Sequence, residues 1–138
     1  MRRRSSDSRT RVRYAETDQM GIAHHANYLV WFEIGRTDLC RETGFSYRLI
    51  EERGLIMVVV EIGCLYRVPY RYDDEVLIRT SVTEASSRSL TFGYELLDGA
   101  GERQHARGHS RHMWVDRDSR RPVTGPADVM EAFRKLLD

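Results

Sequence analysis

One short stretch of the sequence brings together side chains that can act on a carbonyl group. Asp18 and Gly21 stand in a polar loop, and His25 and Asn27 follow just before a dense apolar segment. This spacing predicts a carboxylate beside the N-terminus of a helix, where unpaired N–H groups and the positive end of the helix dipole can hold an oxyanion. Such a carboxylate can activate a water molecule or attack a reactive acyl group itself. From spacing alone, the alternative is that Asp18 only closes an Asx turn while His25 or Asn27 caps the helix.

The apolar segment that follows is predicted to be a long helix. Residues 27–43 place aromatic and apolar side chains at helical spacing, and Gly44 stands where the helix should stop. The first two turns are apolar almost all round, which indicates a helix surrounded by protein. Gly35 costs such a helix about 1 kcal/mol relative to alanine, so we expect close approach of another backbone at this position.

The rest of the chain is predicted to be largely β-strand. The predicted elements are a strand at 11–14, a short helix at 46–53, strands at 55–70, 75–84, 89–98 and 102–116, and an amphipathic helix after Pro126. In the long strand, alternation places six side chains on one face: Val58, Val60, Ile62, Cys64, Tyr66 and Val68. This order of elements predicts an α+β fold, with residues 1–9 as a flexible tail and residues 10–138 as a single domain.

Composition and charge exclude several classes of protein. The 138 residues carry 22 basic and 21 acidic side chains, so the chain lacks the broad positive field of a dedicated nucleic-acid binder. No run of apolar residues is long enough to span a membrane. Cys40 and Cys64 are far apart, which predicts neither a redox pair nor a zinc ribbon and favours the cytoplasm. His105, His109 and His112 have no obvious acidic partner, so no metal site is expected.

The loop and the helix start also carry a recognisable pattern. Residues 18–28 read D-x-x-G-x-x-x-H-x-N-Y, preceded by Arg13–Thr17 and followed by Trp31–Glu33 and Arg36. This pattern resembles the signature of hot-dog-fold acyl-CoA thioesterases of the 4-hydroxybenzoyl-CoA thioesterase family, and most closely its bacterial branch associated with the Tol-Pal system. The resemblance covers nearly all of residues 10–137. It implies an antiparallel sheet of about five strands wrapped around a long central helix.

The resemblance also implies roles for individual residues. Asp18 matches the family's catalytic carboxylate, and His25 matches a histidine of the Tol-Pal-associated branch, where it would act as an auxiliary group. Asn27 and Tyr28 match the helix start whose backbone N–H binds the thioester oxygen, and Gly21 lies in the matching substrate-binding loop.

A second loop is a candidate for binding the carrier portion of the substrate. Ser86, Ser87 and Arg88 are similar in position to the family's loop that meets the nucleotide or the pantetheine arm. A guanidinium group and hydroxyls suit phosphate, although an ordinary solvated turn explains the same residues. Arg67 and Arg71 are further candidates.

The resemblance implies hydrolysis of an acyl-CoA to the free acid and coenzyme A, without a cofactor or a metal. An acyl carrier protein can take the place of coenzyme A in such a reaction. Two alternatives stay open: an enoyl-thioester hydratase or dehydratase of the same fold, and a non-catalytic acyl-CoA-binding protein. The long apolar strand would leave an exposed sheet edge in a monomer, so we expect a homodimer or homotetramer. The resemblance implies that the active sites lie at subunit interfaces.

Overall fold

A five-stranded antiparallel sheet, with strands in the order β1-β3-β4-β5-β2, forms the framework of the protein. The computed structural model describes residues 4–137. Its elements are β1 (Ser6–Arg11), a 3-10 turn (Tyr14–Glu16), α1 (Asn27–Thr43), α2 (Tyr47–Glu52), β2 (Leu55–Tyr66), β3 (Glu75–Ala85), β4 (Ser89–Leu97), β5 (Gln104–Asp116) and α3 (Ala127–Arg134). The predicted α+β architecture is therefore confirmed. No helix within these residues combines the length and apolar character needed to cross a bilayer.

The long helix α1 lies against the inner face of the sheet, as predicted. Trp31 and Phe32 are fully buried on this face, and Gly44 ends the helix with a left-handed φ of 90°. Gly35 sits where a Cβ atom would overlap the side chains of Thr80 and Ile78 on β3. The expected close approach at Gly35 is thus present, but side chains of the sheet fill the space and not a second backbone.

The N-terminal strand begins earlier than the sequence indicates. Residues 6–11 pair with β3 along their whole length, so the predicted flexible tail is wrong from Ser6 onward and the strand predicted at 11–14 is placed too late. The first three residues of that tail lie outside the described residues. Polar alternation explains the error, because the inward positions are Ser6 and Ser8, which are 2% and 5% exposed, where a strand pattern normally has apolar residues.

The other edge of the sheet is formed by β2, which is interrupted by a β-bulge. Its pairing with β5 shifts between Val59 and Glu61 and leaves Val60 without a partner residue. After the bulge, Ile62, Cys64 and Tyr66 face inward as predicted, because their partners on β5 are inward-facing. Before the bulge the alternation is reversed, because Val59 lies opposite the buried His112. The predicted common face for Val58 and Val60 is therefore wrong.

The strand β2 also ends four residues before the predicted limit. After Tyr66 the chain bends, and the N–H groups of Arg67 and Val68 both donate to the carbonyl of His105, at 2.9 and 3.0 Å. Tyr70 is fully buried and donates its hydroxyl to the carbonyl of Leu97 at 2.7 Å. These bonds hold the bend against β4 and β5, and the N–H of Ala23, which donates to the carbonyl of Tyr70 at 2.8 Å, joins it to the loop that precedes α1.

Candidate active site

The loop before α1 and the end of β2 enclose a cavity of about 290 Å³. Four of its lining residues carry polar side chains of interest: Asp18, His25, Tyr28 and Tyr66. The other walls are mainly apolar and comprise Met20, Ile22, Ala23, Val68 and Pro69, with Arg67 alongside. The structure thus brings three predicted site residues, Asp18, His25 and Tyr28, to one cavity.

The carboxylate of Asp18 is oriented by its own loop. Its Oδ1 accepts a hydrogen bond from the backbone N–H of Met20 at 2.8 Å, which closes an Asx turn. In the described part of the chain its Oδ2 accepts no hydrogen bond. The turn anticipated as the alternative is therefore present, and it holds one carboxylate oxygen while the other stays available to the cavity.

Gly21 shapes this loop. Its N–H donates to the carbonyl of Asp18 at 3.0 Å, and its φ of 78° is left-handed, which favours glycine. Gly21 does not lie on the cavity wall. The structure therefore places it in the turn that carries Asp18, and its substrate contact stays a prediction.

At the start of α1, the backbone N–H groups that find no acceptor in the described residues lie two residues before those predicted to bind the thioester oxygen. The N–H of Asn27 donates to the carbonyl of His24 at 3.0 Å, and that of Tyr28 donates to the carbonyl of His25 at 3.2 Å. Among residues 4–137, the amides of His25 and Ala26 find no acceptor. The donors available to an incoming oxygen are thus those of His25 and Ala26, because Asn27 and Tyr28 are already engaged.

A buried carboxylate that sequence reasoning missed holds the loop onto the helix. Glu16 is 5% exposed, and it accepts hydrogen bonds from the N–H of Arg13 at 2.7 Å and the indole N–H of Trp31 at 3.3 Å. Its carbonyl accepts from the side-chain amide of Asn27 at 2.9 Å. The three-residue spacing from Arg13 to Glu16, as in a capping box, was the available signal.

Tyr66 is a second residue of the site that the sequence did not single out. Its hydroxyl donates to the carbonyl of His25 at 2.8 Å, and its ring packs edge-on against Tyr28 with 4.7 Å between centroids. Burial and the neighbouring Cys64 raise the pKa of Tyr66 to about 12. Burial also raises the pKa of Tyr28. Both phenols are therefore neutral hydroxyl groups across the ordinary pH range.

The side chain of His25 is exposed at the rim of the cavity and contacts the ring of His24, with 4.3 Å between centroids. Arg67 is also exposed and lines the cavity, as one of the two further arginine candidates. Arg71 lies off the cavity wall, and its backbone N–H donates to Asp74 at 2.8 Å. One of the two extra cationic candidates is therefore placed near the site.

The Ser86–Arg88 turn lies at the opposite end of the sheet from the cavity. Ser89, directly after this turn, pairs with Met113 on β5, whereas Tyr66 at the cavity pairs with Ala106. At about 3.3 Å per residue, these positions on β5 are separated by about 23 Å. Within one chain, the structure does not bring the predicted phosphate-binding residues to the reaction centre.

The three histidines considered for metal binding are engaged separately. His105 stacks on Tyr70 with 3.9 Å between ring centroids, and His109 pairs with Glu61 at 3.0 Å on the outer face of the sheet. His112 is buried in the core. In residues 4–137 no three His, Cys, Asp or Glu side chains gather closely enough to hold a metal ion.

A chain of buried polar groups lies deeper in the core, away from the cavity. The hydroxyl groups of Tyr94 and Ser110 are 2.5 Å apart, and Ser110 Oγ lies 2.7 Å from Nε2 of His112. Arg36 on α1 is 7% exposed and donates to the hydroxyl of Tyr47 at 2.9 Å. Burial, with a smaller effect of the Arg36 charge, lowers the pKa of His112 to about 3, so this imidazole is neutral.

Comparison with known proteins identifies the family. A model of the thioesterase-like superfamily matches residues 12–133. A Bacillus subtilis protein provisionally named acyl-CoA thioesterase YneP is 41% identical over 112 residues, which cover 81% of this chain and 80% of that protein. The Haemophilus influenzae acyl-CoA thioesterase YbgC is 32% identical over 127 residues, covering 91% and 92% of the two chains.

A solved structure agrees with these matches. The DHNA-CoA thioesterase from Staphylococcus aureus superposes with a TM-score of 0.90 at 31% identity, covering 96% of this chain and 90% of the other. The predicted hot-dog arrangement of a five-stranded sheet around a long helix is therefore confirmed. This chain belongs to the thioesterase-like superfamily.

Proposed function

We propose that the protein hydrolyses an acyl-CoA thioester to the free acid and coenzyme A, with Asp18 at the reaction centre. One observation carries the proposal: the cavity is lined by Asp18, whose Oδ2 accepts no hydrogen bond within residues 4–137, and by His25, whose backbone N–H, like that of Ala26, finds no acceptor there. A thioester carbonyl in this cavity meets hydrogen-bond donors on its oxygen and a base or nucleophile near its carbon. The names of the relatives support the same reaction.

The reaction follows from these groups by one of two balanced routes. With Asp18 as general base, the carboxylate takes a proton from water, the resulting hydroxide oxygen bonds to the thioester carbon, and the carbonyl electrons move to oxygen. Collapse of that oxyanion breaks the C–S bond, and the thiolate takes up the proton. With Asp18 as nucleophile, the carboxylate displaces the thiolate first, and water then cleaves the mixed anhydride.

The backbone geometry sharpens the roles of the neighbouring residues. We assign the oxyanion donors to the N–H groups of His25 and Ala26, because those of Asn27 and Tyr28 already donate within the first turn. Asn27 instead ties the loop to the helix through its side chain, and Tyr28 forms the wall of the cavity. The imidazole of His25 acts as an auxiliary group at the rim.

The coenzyme A portion requires a second copy of the chain. On β2, Val58, Val59, Val60, Ile62, Leu65 and Tyr66 are 37–50% exposed, and a two-fold axis that pairs two β2 edges would bury much of this surface. Such pairing is antiparallel, so the end of the partner's sheet that bears the Ser86–Arg88 turn comes alongside the cavity. We propose a homodimer as the minimal active unit, with a tetramer as a dimer of dimers.

The proposal also covers the phosphate contacts, the carrier of the acyl group and the cell compartment. Arg67 at the cavity and the Ser86–Arg88 turn of the second copy would supply positive charge for phosphate. An acyl carrier protein presents the same pantetheine arm as coenzyme A, so it is a second candidate carrier. The free thiols of Cys40 and Cys64 suit a reducing cytoplasm.

Thiol release from a panel of acyl-CoAs, including benzoyl-CoA and hexanoyl-CoA, tests the function. We expect release from at least one thioester, and at least a hundredfold loss of turnover in Asp18→Asn, because this change removes the reacting carboxylate but keeps an Asx acceptor. The exposed Glu84→Gln is the control for loss of a negative charge and should retain the parent rate. Circular dichroism and light scattering check that both variants keep the fold and the assembly.

The other outcomes identify the alternatives. A folded Asp18→Asn protein with near-parental turnover contradicts the mechanism. Hydration of an enoyl-CoA without thiol release indicates a hydratase. Binding of acyl-CoA with no turnover of any thioester indicates a non-catalytic binding protein.

A further inference from the structure

We infer that Tyr66 is a positioning residue for the oxyanion site, because its hydroxyl holds the peptide unit between His25 and Ala26. This inference rests on the proposed thioester hydrolysis and deepens it. The hydrogen bond from the Tyr66 hydroxyl to the carbonyl of His25 is 2.8 Å long and joins the end of β2 to a loop 41 residues away in the chain. It is a tertiary contact to the segment that carries the amides of His25 and Ala26, which find no acceptor within residues 4–137.

Because the peptide bond is planar, a contact with the His25 carbonyl also determines the direction of the Ala26 N–H. In a trans peptide the C=O and the N–H that follows it lie in one plane and point in opposite directions. The His25 carbonyl accepts from the Tyr66 hydroxyl and from the N–H of Tyr28, the latter at 3.2 Å. Fixing this carbonyl therefore fixes the direction of the Ala26 N–H. Hydrogen bonds to the carbonyl also polarise the amide and strengthen its N–H as a donor.

The ring of Tyr66 is placed so that the hydroxyl reaches this carbonyl. It stands edge-on to Tyr28 at an interplanar angle of 70° and edge-on to His25 at 89°. The side chain stays 45% exposed, so the ring contributes less to the core than a fully buried tyrosine. With its pKa raised to about 12, the phenol remains a donor throughout the working pH range.

The fold does not depend on this hydroxyl. The strand β2 is paired with β5 from Leu55 to Tyr66, apart from the bulge, so backbone hydrogen bonds hold the strand in place. The hydroxyl of Tyr66 points at a backbone carbonyl and not at a reacting atom, which separates its role from that of Asp18. Loss of the hydroxyl should therefore affect the developing oxyanion more than substrate binding or folding.

Tyr66→Phe removes this hydroxyl and nothing else, and Tyr72→Phe is the matched control, since Tyr72 is an exposed tyrosine away from the cavity. For Tyr66→Phe we expect kcat to fall about tenfold with KM within about twofold, as for a hydrogen bond that acts in the transition state. For Tyr72→Phe both constants should match the parent. Thermal unfolding and light scattering should be unchanged in both variants.

Two spectroscopic measurements distinguish a role of Tyr66 in positioning the Ala26 N–H from a role in stabilising the fold. In the Asp18→Asn background with bound benzoyl-CoA, the infrared stretch of the thioester carbonyl reports the strength of the oxyanion donors, and Tyr66→Phe should reduce its downshift. In the free protein, the amide resonance of Ala26 should shift in Tyr66→Phe and stay in place in Tyr72→Phe. This second readout needs no activity.

The outcomes distinguish failure of the positioning role of Tyr66 from failure of the proposed thioester hydrolysis. An unchanged kcat with an unchanged Ala26 resonance overturns the inference. Equal changes in kcat and KM with a lowered melting temperature also overturn it, because they show a structural role. If the parent protein releases thiol from no thioester, the proposed function fails, while the Ala26 resonance still reports whether Tyr66 positions the peptide.

Discussion

The two edge strands of the sheet differ in length and in the character of their exposed side chains. At one edge, β1 has six residues of alternating polar type, with Asp7 bound to Arg79 and Arg9 bound to Glu75. At the other edge, β2 has twelve residues, and most of its exposed side chains are aliphatic. Short, charged edges resist pairing with other chains, whereas long apolar edges invite it. By this rule β1 resists pairing with another chain, and β2 is the edge at which we propose that a second copy binds.

The edge at which we propose pairing is also the edge that carries the cavity. Tyr66, the last residue of β2, reaches the loop that bears His25. The β1 edge makes no contribution to the cavity wall. The contrast links assembly with chemistry, because the surface that a partner would cover ends at the reaction centre.

A charge placed on each edge gives the largest contrast. Ile62→Asp puts a carboxylate on the inner face of β2, where two copies related by a two-fold axis would bring like charges into an apolar interface. We expect loss of the dimer and of nearly all thioesterase activity. Thr10→Asp puts the same charge on β1 and should leave both unchanged. Light scattering over a wide dilution range, with thiol release at each dilution, measures the outcome.

Two results would count against this contrast. A parent protein that is an active monomer at all dilutions removes the basis for the dimer and for the shared site. Equal loss of activity in Ile62→Asp and Thr10→Asp, without dissociation, would show that both edges act only through fold stability.

A smaller effect is expected at the far end of the sheet. Arg88→Ala should raise KM for acyl-CoA about tenfold or more, and should leave KM for the matching acyl-pantetheine unchanged, since a lost charge-assisted phosphate contact costs about 1.5–3 kcal/mol. Arg120→Ala, another exposed arginine, is the control. Steady-state kinetics with both thioesters provides the comparison. Equal losses on the two substrates would indicate that Arg88 supports the turn and does not read the nucleotide.

The elements that depend mainly on residues close together in the sequence were predicted correctly. The spacing of apolar residues predicted α1, and Gly44 marked its end because a left-handed residue terminates a helix. The start of β1 could not be read in this way. Ser6 belongs to a strand because it lies opposite Thr80, and a polar sequence contains no signal for a partner that is distant in the chain.

Within the candidate active site, too, contacts inside one loop were predicted and contacts between distant parts of the chain were not. The motif predicted that Asp18 and His25 lie together, since both are in one loop beside a helix start. Glu16 and Tyr66 escaped prediction because their bonds, to Trp31 and to the His25 carbonyl, exist only after the tertiary path is known. The motif also could not show that the amides of Asn27 and Tyr28 donate within the first turn, which leaves those of His25 and Ala26 as the oxyanion donors that we propose.

A further contrast concerns the polar groups beneath the two edges. Under β1 these are the serines Ser6 and Ser8, which do not titrate, and beneath β2 the side chain of His112 lies opposite Val59. Burial lowers the pKa of His112 to about 3 in the folded protein, below its ordinary value of about 6.5. Between these pH values the unfolded chain binds the additional proton, so stability falls as the pH falls through this window.

Urea unfolding at a series of pH values measures this linkage. We expect the free energy of unfolding to decrease by up to about 1.4 kcal/mol per pH unit below pH 6.5 through His112. His112→Gln should remove this part of the slope, and Ser8→Ala should keep it. The same slope in the parent and in His112→Gln would show that other groups cause the acid sensitivity.

The bulge at Val60 makes the number of residues in β2 as important as their identity. Because Val59 and Glu61 lie opposite the consecutive residues His112 and Arg111, deletion of Val60 would remove the bulge and leave the pairing on both sides of it unchanged. Loss of one residue between Glu61 and Tyr66 would instead turn the residues after it to the other face of the sheet, because alternation has a period of two. Tyr66 would then lose its place opposite Ala106, and its hydroxyl would leave the His25 carbonyl. Relatives that share this site should therefore tolerate the loss of position 60, yet show neither insertions nor deletions between positions 61 and 66.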